Sequence, residues 1–235
     1  MELRQAAFKI RHKVYCSELG WEPISEDKME CDEYDDYSFH CLLEYKRTKT
    51  FTGCIRLIIP PVENPNLPLP FEKNCIESAR KNILDSCTLQ RGSFGEISRL
   101  AVLSEFRRRV DEENKPYVLK EVDPKAIYTE NERRNFPNIA IGLYLAGIAL
   151  SNMCNHQGTF VMMEPRLNSR LMRFGLPFLQ VGDEMDYHGT RAMFYLSREN
   201  YCSQLSGEMN KFYQFIHSEL RSQICLLPHT NPTDS

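Results

Sequence analysis

Residues 94–102 read Phe94-Gly95-Glu96-Ile97-Ser98-Arg99-Leu100-Ala101-Val102. A short apolar run of this length, preceded by the turn residue Gly92, reads as a buried strand. Side chains alternate across a strand, so Glu96 and Ser98 share one face while Glu96 and Arg99, three apart, face opposite ways. A carboxylate inside such a strand needs a partner or a purpose.

The elements on either side build a sheet around this strand. Ser38 to Glu44 and Phe51 to Ile59 are β-rich runs separated by Lys46-Arg47-Thr48-Lys49, a hairpin with a charged turn, and Pro60-Pro61 ends the second run. Leu3 to Leu19 carries Ala6, Ala7, Ile10, Val14 and Tyr15 at helical spacing, with Gly20 as a stop. Glu22 to Asp36 is an acidic, ordered loop, and Phe71 to Ile83 holds a short helix. Downstream, Ser104 to Pro137 is a polar excursion across the surface, and Asn138 to Cys154 is a long apolar helix with Gly142 and Gly147 for close packing. A strand follows at Thr159 to Met163, then a helix at Arg166 to Phe174 ended by Gly175. A strand from near Gly189 to Tyr195 and a single amphipathic helix from Asn200 to Ile224 close the chain. This order predicts an α+β fold, a central mixed sheet flanked by helices, in one domain over 1–225 with a frayed tail at 226–235.

Composition narrows the function classes. A net charge of -3 gives no global electrostatic case for nucleic acid. The nine cysteines are odd in number and unpaired by any CxxC spacing. Met1 opens into Glu2-Leu3-Arg4-Gln5, and the apolar stretch from Ile139 to Leu150 is too short to span a bilayer. The expectation is a cytoplasmic protein with no transmembrane segment and no metal centre.

Three separated features form a constellation. Arg11, Tyr15 and Trp21 lie on and after the opening helix; Asp32-Glu33-Tyr34-Asp35 follows; and Arg56, in Gly53-Cys54-Ile55-Arg56-Leu57, pairs with Glu96-Ile97-Ser98-Arg99. At these residues the chain resembles the acyl-homoserine-lactone synthases. Their hallmark is an Arg, an aromatic one turn later, a Trp, a D-x-x-D pair, a strand Arg and an E-x-S-R strand. Phe106-Arg107-Arg108-Arg109, Met163-Glu164-Pro165-Arg166-Leu167, Arg173-Phe174-Gly175 and Asp186-Tyr187-His188-Gly189 are similar to the exosortase-associated acyltransferases. The resemblance implies the GNAT fold and N-acyl transfer.

Read from the residues, an amine that attacks a thioester must lose a proton, and Glu96 is the candidate base. The competing reading is a plain Glu96–Arg99 ion pair. Arg11, Asp32, Asp35, Arg56 and Arg99 form either a buried network fixing the acidic loop or, as the resemblance implies, a network that also holds substrate. Ser98 either binds substrate or caps a bulge, and Tyr15 and Trp21 either pack or wall the acceptor pocket. Arg107, Arg108 and Arg109 form a basic run which, by the resemblance, would meet the donor. The donor is an acyl-phosphopantetheine thioester, on acyl carrier protein or coenzyme A, and no cofactor is permanently bound. Because the R/Q-x-x-G-x-G/A loop of coenzyme A users is missing, acyl carrier protein is favoured as partner. The acceptor is an amino acid or related primary amine, with S-adenosylmethionine and a homoserine-lactone product second. A Cys/His nucleophile using His188, an ordinary acetyl-coenzyme A acetyltransferase, and a non-catalytic carrier- or lipid-binding module are the rival readings.

Overall fold

The computed structural model describes residues 2–80, 89–106, 137–205 and 207–224. Strand β1 (Ser38–Tyr45) and strand β2 (Thr50–Ile58) form the expected hairpin, and β2 pairs antiparallel with β3 (Phe94–Val102). Strand β4 (Gly158–Met163) lies parallel to β3, so the connection must cross over, and most of its described part is the helix α3 (Pro137–Met153). Beyond β4 come β5 (Leu179–Gln180), β6 (Met185–Asp186) and β7 (Thr190–Ser197). The sheet runs β1-β2-β3-β4-β7-β5, with β6 also pairing with β7.

Two irregularities shape the centre of this sheet. Cys54 pairs with Ala101 but Arg56 pairs with Ser98, so Arg99 and Leu100 together oppose the single residue Ile55. This is a β-bulge, and Arg99 takes a left-handed φ of 52° within it. The second irregularity is a parting of strands: β3 and β4 pair only from Phe94↔Gly158 to Ile97↔Val161. Past that point β3 continues through the bulge while β4 ends at Met163, and a gap opens between them in the middle of the sheet.

Helix α3 explains why the sheet stays buried. Its residues from Ala140 to Leu150 are all buried, because one side lies on β1 to β4 and the other on α6 (Gly207–Ile224). Gly147 brings the helix axis close: a Cβ there would lie 3.0 Å from Ile97 Cδ1. On the other face Ile58, Phe94, Phe160 and Tyr195 pack with Leu69 and Phe71 of the loop and short helix α2 (Pro70–Asn74). Gly95 is needed where β3 passes β2, since a Cβ would meet the Ile58 carbonyl oxygen at 2.5 Å. Gly95→Ala is expected to cost about 1–3 kcal/mol through forced displacement of β2 from β3, read as a lower urea midpoint at constant m-value.

Two expectations are corrected. The opening helix is regular only as α1 (Glu2–Arg11); from His12 to Glu18 it widens into a π-helix, with the Leu19 N–H donating to the Val14 carbonyl at 3.0 Å. The final helix is two, α5 (Arg198–Gln204) and α6, because Leu205 turns extended and Gly207 takes a φ of +45°. Helix α4 (Pro165–Arg173) falls where expected and ends at Gly175, whose φ is +84°. The Ser104 to Pro137 excursion lies outside the described residues except at its two ends, as does the tail. No described helix is long and apolar enough to cross a membrane.

Candidate active site

The D-x-x-D spacing has a local cause. Asp32 is the N-cap of a 3-10 turn over Glu33–Tyr37 and Asp35 its third residue, giving a reciprocal capping box. The Tyr34 N–H donates to Asp32 Oδ1 at 3.0 Å, and the Asp32 N–H donates to Asp35 Oδ2 at 2.8 Å. Both carboxylates are thereby held toward the sheet, where the arginines meet them. Arg11 donates to Asp35 through Nη1 at 2.6 Å and Nη2 at 3.1 Å, and through Nε to Glu30. Arg56 Nη1 reaches Asp32 at 2.5 Å and Asp35 at 2.7 Å, and its Nε donates to Ser98 Oγ at 3.0 Å. Arg99, turned by the bulge, donates to Glu30 at 3.1 Å and lies 3.3 Å from Asp32 and 3.6 Å from Glu22.

The cluster thus balances Arg11, Arg56 and Arg99 against Glu30, Asp32 and Asp35. Glu30 is the residue sequence reasoning passed over: it bridges Arg11 and Arg99 from inside the acidic loop. Burial alone would raise all three carboxyls, but the Arg11 hydrogen bonds on Glu30 and Asp35 and the Arg56 hydrogen bond on Asp32 outweigh it and hold them below the usual range. Their contribution to stability is present above the ordinary carboxylate pKa and is lost as pH falls through the depressed folded values.

Next to this cluster, at the parting of β3 and β4, is a cavity of about 150 Å3. Glu96, Ser98, Arg99, Asp32, Arg56, Tyr15 and Trp21 all line it. Arg11 and Asp35, expected among the substrate-binding residues, do not: they sit behind the lining and brace Arg56 and Glu30. Arg107, Arg108 and Arg109 lie outside the described residues. Tyr15, on the π-helical turn, donates its hydroxyl to the Leu100 carbonyl at 2.7 Å. It stacks on Trp21, which in turn stacks on His188 at 5.0 Å between centroids and 14° between planes. The two aromatics therefore both pack and wall the cavity.

Glu96 is paired differently from the plain ion-pair reading. Arg99 faces Glu22, Glu30 and Asp32, whereas Glu96 Oε2 accepts the Phe71 N–H at 2.9 Å. That N–H belongs to the first turn of α2, where backbone donors have no partner within the helix. Burial dominates the carboxyl and lifts its pKa to about 8; the Phe71 hydrogen bond and the Arg56 charge oppose the shift without cancelling it. A carboxyl with this proton affinity, facing a cavity, accepts and returns protons near neutral pH. Cys75 also lines the cavity, but burial and then the nearby Glu96 push its thiol up to about 11, so the reactive thiolate is scarce.

Residues 10–113 match the acetyltransferase (GNAT) domain family. No curated protein matches the chain. Among solved structures, TofI in a ternary complex with an inhibitor and MTA is similar at a TM-score of 0.60 and 15% identity, covering 87% of this chain and 89% of that one. MesI, a CoA-dependent acyl-homoserine lactone synthase, is similar at 0.54 and 14%, covering 92% and 88%. FeeM, an N-acyl amino acid synthase from uncultured soil microbes, is similar at 0.51 and 14%, covering 87% and 96%. Residues 10–113 are therefore an acyltransferase domain of the GNAT type, and the described chain as a whole has the GNAT fold.

Proposed function

We propose that this acyltransferase moves a fatty acyl group from a phosphopantetheine thioester, on acyl carrier protein or coenzyme A, directly to the primary amine of a small acceptor such as an amino acid. One observation carries the reading: Glu96 is buried, faces the cavity where β3 and β4 part, and holds its proton until about pH 8. In the reaction the amine nitrogen forms the new C–N bond at the thioester carbonyl carbon and its proton passes to Glu96. The C–S bond then breaks, and the leaving thiolate takes up a proton. The bulge at Arg99 and Leu100 interrupts the β2–β3 ladder beside this point, and backbone amides there polarise the carbonyl. Arg56 holds Ser98 by its hydroxyl, so in this reading Ser98 orients the acceptor from the same face as Glu96.

The reading includes the sequence resemblance to exosortase-associated acyltransferases, and it takes acyl carrier protein as the donor's carrier because the coenzyme A loop motif is missing. Thiol release by the purified chain, with acyl carrier thioesters and acyl-coenzyme A compared over a panel of amines, tests it. Release of methylthioadenosine with S-adenosylmethionine would move the acceptor to the lactone-synthase reading. Thiol release in neither case, with carrier binding intact, would leave a non-catalytic module. Because Glu96 must be unprotonated to act, kcat/KM is expected to rise by about tenfold per pH unit on the acid side and level off above about 8. A flat profile from pH 6 to 9 would remove Glu96 from the proton transfer.

A further inference from the structure

Three cationic side chains line the cavity, and two of them are already matched. Arg56 is held by Asp32 and Asp35, and Arg99 by Glu30, Asp32 and Glu22. The third, Arg191, sits near the start of β7, just after the His188-Gly189 turn, and among the described residues it has no carboxylate partner. Its Nε and Nη2 are both shielded from solvent and donate to no acceptor among the described residues, and its guanidinium carbon lies 5.3 Å from the Trp21 ring centroid. A shielded guanidinium without a hydrogen-bond acceptor is costly to keep. A guanidinium is a planar fork of N–H donors whose shape matches the two oxygens of a carboxylate.

The geometry points to Arg191 as the acceptor-recognition residue: it binds the free carboxylate of an α-amino acid whose amine faces Glu96. This assignment deepens the acyl-transfer reading and rests on it. It also chooses within the acceptor class, because the carboxylate is a feature that simple amines lack. Trp21 supports the choice against a sulfonium-bearing acceptor. His188, Tyr15 and the Arg191 guanidinium already pack on its ring, which is the surface a bound cation would otherwise use. Glu22 and Asp32, the other carboxylates of the lining, are both within reach of Arg99 and do not compete for Arg191.

The test compares amino acids with the amines that lack the carboxylate, leucine against 3-methylbutylamine and tyrosine against tyramine, in the wild type, Arg191→Gln and Arg191→Lys. The wild type is expected to prefer the amino acid, and Arg191→Gln to lose about 10- to 100-fold of that preference, chiefly through KM, as a charge-assisted hydrogen-bonded pair is removed. Arg191→Lys keeps the charge without the fork and is expected to restore part of it. An amino-acid-to-amine ratio unaltered in Arg191→Gln overturns the assignment, whether or not overall activity falls. A donor-free measurement separates this failure from failure of acyl transfer itself: thermal stabilisation by leucine or tyrosine should be present in the wild type and lost in Arg191→Gln. If neither amino acid stabilises the wild type, or both stabilise Arg191→Gln equally, Arg191 is not the carboxylate site.

Discussion

Glu96→Gln is expected to lose about 10²- to 10⁴-fold in kcat/KM, the usual contribution of a positioned general base. The same variant is expected to be the more stable protein at neutral and alkaline pH. The two effects have one origin. In the folded state the carboxyl titrates near 8, whereas in the unfolded chain it titrates near 4.5. Between these values the unfolded chain releases the proton and the folded chain keeps it, so wild-type stability falls as pH rises from about 4.5 to 8. Glutamine has no proton to lose, and its side-chain oxygen still accepts the Phe71 N–H. Its advantage should therefore grow across that window and level off above it, at an amount on the order of a few kcal/mol. Urea melts at pH 5 and pH 8.5, with thiol-release assays on the same preparations, check both halves. Loss of activity together with loss of stability at pH 8.5 would mean that Glu96 acts as an ion-pair strut.

The second large effect lies one layer behind the cavity. Arg11→Ala removes the cation that holds both Glu30 and Asp35 while leaving those carboxylates buried, and breaking a buried pair in this way costs about 3–5 kcal/mol. That is a large share of the stability of an ordinary domain. The urea midpoint should fall sharply, and the loss should be greatest at neutral pH, where Glu30 and Asp35 are charged. Toward pH 4 and below it should narrow, because the wild type is then losing the same interaction. A loss independent of pH would assign the cost to packing of the Arg11 side chain against Phe8, where its guanidinium lies 5.2 Å from the ring, and not to charge.

What could be read from the sequence follows from the range of each interaction. Strand β3 has the bounds its apolar run implies, since burial on both faces leaves a continuous signal and the flanking turns are local. The meeting of Arg11, Asp32, Asp35, Arg56 and Arg99 was foreshadowed by complementary charge. Glu30 was not, because neighbouring carboxylates in an acidic loop look alike until the capping box at Asp32 decides which of them turns inward. Strands β5 and β6 are two residues each, too short for any period to show. His188, Glu22 and Arg191 reach the cavity only through tertiary folding. For Arg191 the one local hint was its place two residues after Gly189. The parting of β3 and β4 is a property of paired strands, which no single segment encodes.

The π-helical stretch at His12–Glu18 has a further consequence. An i→i+5 turn holds one residue more than an i→i+4 turn, and each residue of an α-helix advances the phase by about 100°. The extra winding breaks the single stripe that a regular helix would offer, and buried positions come in two runs, Ile10–His12 and Val14–Cys16. One continuous helical segment therefore hands Arg11 to the carboxylates and Tyr15 to the β3 bulge. Losing a single residue there would restore ordinary periodicity and leave one of those two appointments unmet.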